Sequence, residues 1–175
     1  TWPKPDANAK GALAVGPCQQ MKNGVFEGDD ADLMSRMYFL TDGQWTTLAS
    51  CANENARNVQ YLKGGDSPDI AGDMAASGWK TIQTPRPDLP LLACIGKDGA
   101  WIAATAAENG TSICNNANAS HRCMHSHGSV PLRRDAPSTL RVNAYLMRGG
   151  LDDLRRRYVR DRARWASSPL PSAPA

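Results

Sequence analysis

Trp45-Thr46-Thr47-Leu48-Ala49-Ser50-Cys51-Ala52-Asn53-Glu54-Asn55-Ala56-Arg57-Asn58-Val59-Gln60-Tyr61-Leu62 is the most strongly patterned stretch of the chain. Trp45, Leu48, Ala52, Ala56, Val59 and Leu62 recur at three- and four-residue steps, with Asn53, Glu54, Arg57 and Asn58 on other faces. Apolar residues at that spacing make one stripe of an α-helix. The pattern therefore predicts a helix that stops at Lys63-Gly64-Gly65, where glycine suits the left-handed C-terminal turn.

The flanks extend a helical reading in both directions. Upstream, Asp29-Asp30-Ala31-Asp32 places carboxylates where a first helical turn has free N–H groups. Leu33, Met34, Met37, Tyr38 and Leu40 follow at helical spacing, and Thr41-Asp42-Gly43 breaks the run. Downstream, Ser67-Pro68-Asp69 starts a short third helix through Ala76, ended by Gly78.

Beyond Trp79 the texture turns to strand. Trp79–Thr84 alternates, and Pro85, Pro87 and Pro90 make an extended linker. Leu91–Ile95 and Ala100–Ala104 flank Gly96-Lys97-Asp98-Gly99, which predicts a hairpin over 91–104. Residues 108–138 are rich in Asn, Ser, Gly and Pro without an apolar period, and read as one long loop. Leu140–Met147 reads as strand, and Leu151, Leu154, Tyr158 and Trp165 form the narrow stripe of a final helix over 151–166. The expected fold is α+β: two to three N-terminal helices, a small antiparallel sheet with the 91–104 hairpin, and a C-terminal helix. Residues 29–166 form a single domain in this reading, behind an extended arm over 1–28 and ahead of a disordered Pro-rich tail over 167–175.

The five cysteines, Cys18, Cys51, Cys94, Cys114 and Cys123, are scattered, with no CxxC pair. That scatter predicts disulfides in an oxidising compartment, so the fold is expected to be disulfide-stabilised. Cys18, Cys94, Cys114 and Cys123 are the candidates for bridging, with one bridge inside the 94–123 stretch. Cys51 is the candidate free thiol, since it lies beside the stripe of the 45–62 helix. Buried free thiols in a cytosolic protein are the competing reading. A removed signal peptide or a lipoprotein anchor would leave a start such as Thr1-Trp2-Pro3-Lys4-Pro5. The chain is therefore expected to be periplasmic or extracellular. No apolar run reaches the roughly 18 residues of a bilayer span.

All three histidines fall in His121-Arg122-Cys123-Met124-His125-Ser126-His127. His–x3–His aligns two imidazoles on a helix and His–x–His does so on a strand, and Cys123 or Met124 beside them would suit zinc or copper. His121, His125 and His127 are the candidate metal ligands. Otherwise no cofactor is indicated. Cys94, Cys114 and Ser126 stand near these histidines in sequence, but no nucleophile-elbow pattern is present, so no catalytic set is assigned and the chain does not read as an enzyme. The C-terminal arginines Arg155, Arg156, Arg157, Arg160, Arg162 and Arg164 are offset by Asp152, Asp153 and Asp161. That balance reads first as a solvated helix face; a net charge of only +3 implies no polyanionic partner such as nucleic acid, and an acidic protein is the functional alternative such a face would steer.

With no catalytic set, the expected role is binding another protein: an inhibitor or immunity protein that neutralises a secreted toxin or hydrolase. Arg122, His125, His127, Arg133 and Arg134 of the long loop are its candidate contact residues. A pilus- or surface-associated subunit is one alternative. A metal-binding protein or metalloenzyme built on the histidine cluster is the other.

Overall fold

The computed structural model of the chain describes residues 12–16, 18–22, 24–51, 57–64, 80–82, 84–116, 122–131 and 139–168. Most of its regular structure is strand. The strands are β1 (Ala12–Val15), β2 (Cys18–Gln20), β3 (Met37–Thr41), β4 (Gln44–Thr47), β5 (Arg57–Tyr61), β6 (Lys80–Ile82), β7 (Leu91–Ile95), β8 (Trp101–Ala107), β9 (Gly110–Asn116), β10 (Cys123–Pro131) and β11 (Val142–Arg148). Among the described residues two α-helices accompany them, α1 (Asp30–Arg36) and α2 (Leu151–Ser167). One sheet runs β1-β10-β9-β5-β6, with β2 sharing the β10 edge alongside β1. The other runs β11-β8-β7-β3-β4. Every pairing is antiparallel except β5 with β6.

The α+β expectation is thus overturned in favour of two packed sheets. No helix spans 45–62: the segment supplies β4, a 3-10 turn over Ala49–Cys51 and β5, while 52–56 lies outside the described residues. Asn58, which reads as part of a polar helix face, and Gln60 are buried to the same degree as Val59 and Tyr61, because β5 is covered on both faces. The predicted helix over 29–40 ends at Arg36. Asp29 caps it, accepting from the Asp32 N–H at 2.8 Å. The β-forming run Met37–Thr41 then leaves as β3, flanked by β4 and β7. Asp42 and Gly43 both have positive φ, 51° and 72°, so Asp-Gly forms the two-residue turn of the β3–β4 hairpin rather than separating helices. The predicted helix at 67–76 lies outside the described residues.

Within the loop expected over 108–138, the described residues form β9 and β10 at the centre of a sheet, while 117–121 and 132–138 lie outside the described residues. Disulfide stabilisation is also corrected: all five cysteines are free thiols. Cys94 points between the sheets into the core, whereas Cys114 and Cys123 lie on the opposite face of the β9–β10 pair from the core residues Ile113 and Met124. Cys123 stands diagonal to both Cys18 and Cys114 rather than opposite either.

The core follows from the register. Met37, Phe39, Leu92, Cys94 and Ala103 meet Ile113 and Met124 across the sheets, and Met21, Leu33 and Leu48 close the rim. Leu154 and Tyr158 of α2 cover the outer side of β7 and β8, packing on Leu91, Ala93, Ile102 and Ala104. Two-sided burial explains why β7 and β8 are apolar at nearly every position. Among the described residues, no helix is long and apolar enough to cross a membrane.

Ser126 joins the two sheets. Its fully buried hydroxyl donates to the Pro90 carbonyl at 2.6 Å and accepts from the Ala107 N–H at 2.9 Å. Ser126→Ala would leave two buried backbone groups unpaired. We expect it to lower unfolding free energy by about 2–3 kcal/mol in urea denaturation. A change below roughly 0.5 kcal/mol would mean that these bonds do not couple the sheets.

Candidate metal centre

Side chains alternate across β10. Met124 and Ser126 point into the core, and Cys123, His125 and His127 point to the other face. Two neighbours bring thiols to that face. On one side Cys18 of β2 pairs with His125, and on the other Cys114 of β9 pairs with the same residue. Residues paired across an antiparallel ladder share a face, with Cβ atoms roughly 5 Å apart. His125 therefore sits between two cysteines contributed by strands far apart in sequence, and Cys123 lies two residues along its own strand.

The ligand atoms of Cys18, Cys123 and His125 all lie within 4.8 Å of one another. The Cys123 Sγ is 3.0 Å from the His125 Nε2. With metal–sulfur bonds near 2.3 Å and metal–nitrogen bonds near 2.0 Å, a tetrahedral ion needs ligand atoms roughly 3.5–3.8 Å apart. Small rotamer changes span the difference. Cys18 is exposed and Cys123 is buried, so the cluster is open to solvent on the Cys18 side.

Burial, reinforced by the neighbouring Cys18 thiol, pushes the Cys123 thiol up to about 12, with Lys22 opposing only weakly. Burial also raises Cys114, and the charges of Cys123 and Cys18 raise it further. Thiols held protonated in this way are poor nucleophiles, since reactive cysteines have lowered pKa values. The Cys123–His125 contact therefore does not read as a nucleophile–base pair. A cation placed between these sulfurs would reverse the bias, because coordination removes the thiol proton.

The placement of the other candidate residues is mixed. His127 shares the face and stacks against His125, with centroids 5.5 Å apart. Its Nδ1 lies 3.5 Å from the Ser112 hydroxyl, and burial lowers its pKa, so it is held neutral at pH 7. It is not part of the three-atom cluster. Arg122 immediately precedes β10 with φ 45°, and its carbonyl accepts from the Met21 N–H at 2.6 Å. His121, Arg133 and Arg134 lie outside the described residues. Ser126 faces the core, away from the histidines, and Cys94 is buried between the sheets. Neither can serve a histidine base on the outer face. Cys51 is half-buried, with the Gln60 amide 3.8 Å from its sulfur.

Sequence reading found His125 and named Cys123 beside it, but missed Cys18. The available signal was the alternation Cys123–x–His125–x–His127 as a strand face. Such a face recruits ligands from paired strands and not from its own neighbours in sequence.

Searches against protein-family models, curated proteins and solved structures find no match to this chain.

Proposed function

We propose that the chain binds one soft or borderline metal ion, zinc(II) or copper(I), through Cys18, Cys123 and His125. The convergence of two sulfurs and one imidazole nitrogen within 4.8 Å carries this reading. Thiolate and imidazole are the donors those ions prefer. Cys114 lies on the same face opposite His125, outside the three-atom cluster, and is the nearest thiol by register to serve as a fourth ligand. Three ligands suffice for copper(I); zinc would complete its tetrahedron with Cys114 or water.

Titration of the reduced protein tests the proposal. We expect about one equivalent of zinc(II) or copper(I) to bind, and cobalt(II) to give the charge-transfer absorption of a thiolate-bound ion. Both signals should vanish in a C18S/C123S variant. Absence of tight binding in the wild type, or retention of one equivalent in the variant, would overturn the assignment.

A further inference from the structure

We propose that the groove between the outer edge of β11 and helix α2 takes an extended acidic segment of another protein, added to the sheet as a sixth strand. This inference is independent of the metal centre, which lies in the other sheet.

β11 ends its sheet, so one side of its backbone has no strand partner among the described residues. It is also long for an edge, seven residues, and free of proline and glycine. Edges of that kind are usually shortened, bulged or covered, since they template pairing with another chain. Here apolar side chains are left in the open. Leu146 is 66% exposed and Val142 40%, although their register places them on the side of the sheet that is core elsewhere. From the first sheet, β2 reaches β11, where the Gln19 amide donates to the Tyr145 carbonyl at 3.3 Å.

The groove along this edge has a volume of about 420 Å³ and is lined by Leu146, Arg148, Arg156, Arg157 and Arg160, with Asp153 the one acidic side chain. Arg156 pairs with Asp153 and Arg157 with Asp161. Arg160 has no acidic partner among the described residues, and Arg148 lies over the Trp101 ring at 5.0 Å. A strand laid against β11 would have its backbone satisfied by the edge, one row of side chains on the face of Leu146 and Arg148, and the other on the α2 face beside Arg156, Arg157 and Arg160. Charge selects the occupant. A second copy would bring another arginine-lined edge against this one, so self-pairing is disfavoured, while carboxylates at alternate positions are attracted.

Fluorescence anisotropy on the full chain tests this with a labelled peptide of about eight residues alternating valine and glutamate. We expect saturable binding that weakens at least tenfold in R156E/R160E, both exposed positions, with circular dichroism confirming an unchanged fold. N-methylation of alternate peptide nitrogens should weaken binding at least tenfold, because it removes the N–H groups that pair with the edge. A valine–lysine peptide should not bind. Four results would each overturn the proposal: no binding of the valine–glutamate peptide, equal binding of the N-methylated one, tighter binding of single-stranded DNA or phosphatidylserine vesicles, or a dimer in gel filtration that R156E/R160E leaves intact.

Discussion

Replacing Cys123 by serine should weaken zinc(II) or copper(I) binding at least about 100-fold, whereas His127→Ala should change it less than about threefold. Loss of a partner outside the coordination sphere alone costs 10–100-fold in typical sites, so removal of a direct sulfur ligand costs more. Cys123 is the central member of the cluster, 3.0 Å from the His125 nitrogen and in hydrogen-bond contact with Cys18. His127 stacks on His125 but is directed to Ser112. The Cys123 proton must leave when metal binds, so affinity should rise with pH through neutrality, the metal gaining as the proton competes less. The second readout is thermal. An ion at 100 times its dissociation constant stabilises the folded chain by about 2.7 kcal/mol, and the melting shift it produces should be absent in Cys123→Ser. Equal metal affinity in wild type and Cys123→Ser would remove Cys123 from the site, and a large loss in His127→Ala would move the centre towards the histidine pair.

The parts of the fold visible in the sequence share a local cause. Asp98-Gly99 turns the β7–β8 hairpin, with Gly99 at φ 68°, and Asp29 caps α1 through its own side chain. Asp152 and Asp153 open α2, where Asp153 accepts from the Gly150 N–H at 2.9 Å. Each depends on residues within a few positions of one another. The strands of the first sheet were hidden for the opposite reason. Asn58, Gln60, Ser112, Asn115, Asn116 and Ser126 are all buried, yet each counts as a surface residue when polarity stands in for exposure. With those positions scored as polar, β9 and β10 lose their apolar signal and read as loop, and β5 passes for one face of a helix. One local signal was present and misassigned: Asp42-Gly43 between two runs of strand formers is a hairpin signature, and taking it so would have made β3 and β4 strands and broken the helical series that starts at Trp45.

The candidate site was half visible for the same reason. Histidine clustering pointed to β10, because three imidazoles in seven residues need no structure to notice. Cys18 lies more than a hundred residues away, and only the β2–β10 register places it opposite His125. Only the strand register of β10 brings Cys18 and Cys114 to one face with His125; their spacing in the sequence does not.

Phe39→Ala should destabilise the fold by about 3–5 kcal/mol, the largest stability effect we expect from a single core substitution. Phe39 is fully buried on β3, pairs with Leu92 on one side and Thr46 on the other, and packs in the cluster between the sheets. The chain has only two phenylalanines, and the other, Phe26, sits partly buried at the margin of that cluster. The small residues around them, Ala103 and Cys94 among others, cannot move in to fill a ring-sized void. A loss of that size is a large part of the roughly 5–15 kcal/mol that holds a domain folded. Phe39→Leu keeps most of the volume and should cost less than about 1.5 kcal/mol. Val159→Ala, at a 54% exposed position on α2, should stay within about 0.5 kcal/mol. Urea midpoints for the three variants separate burial from mere loss of apolar surface. If Phe39→Ala cost no more than Val159→Ala, the two sheets would not be packed through Phe39, and the sandwich that presents Cys18, Cys123 and His125 on one outer face would have to be redrawn.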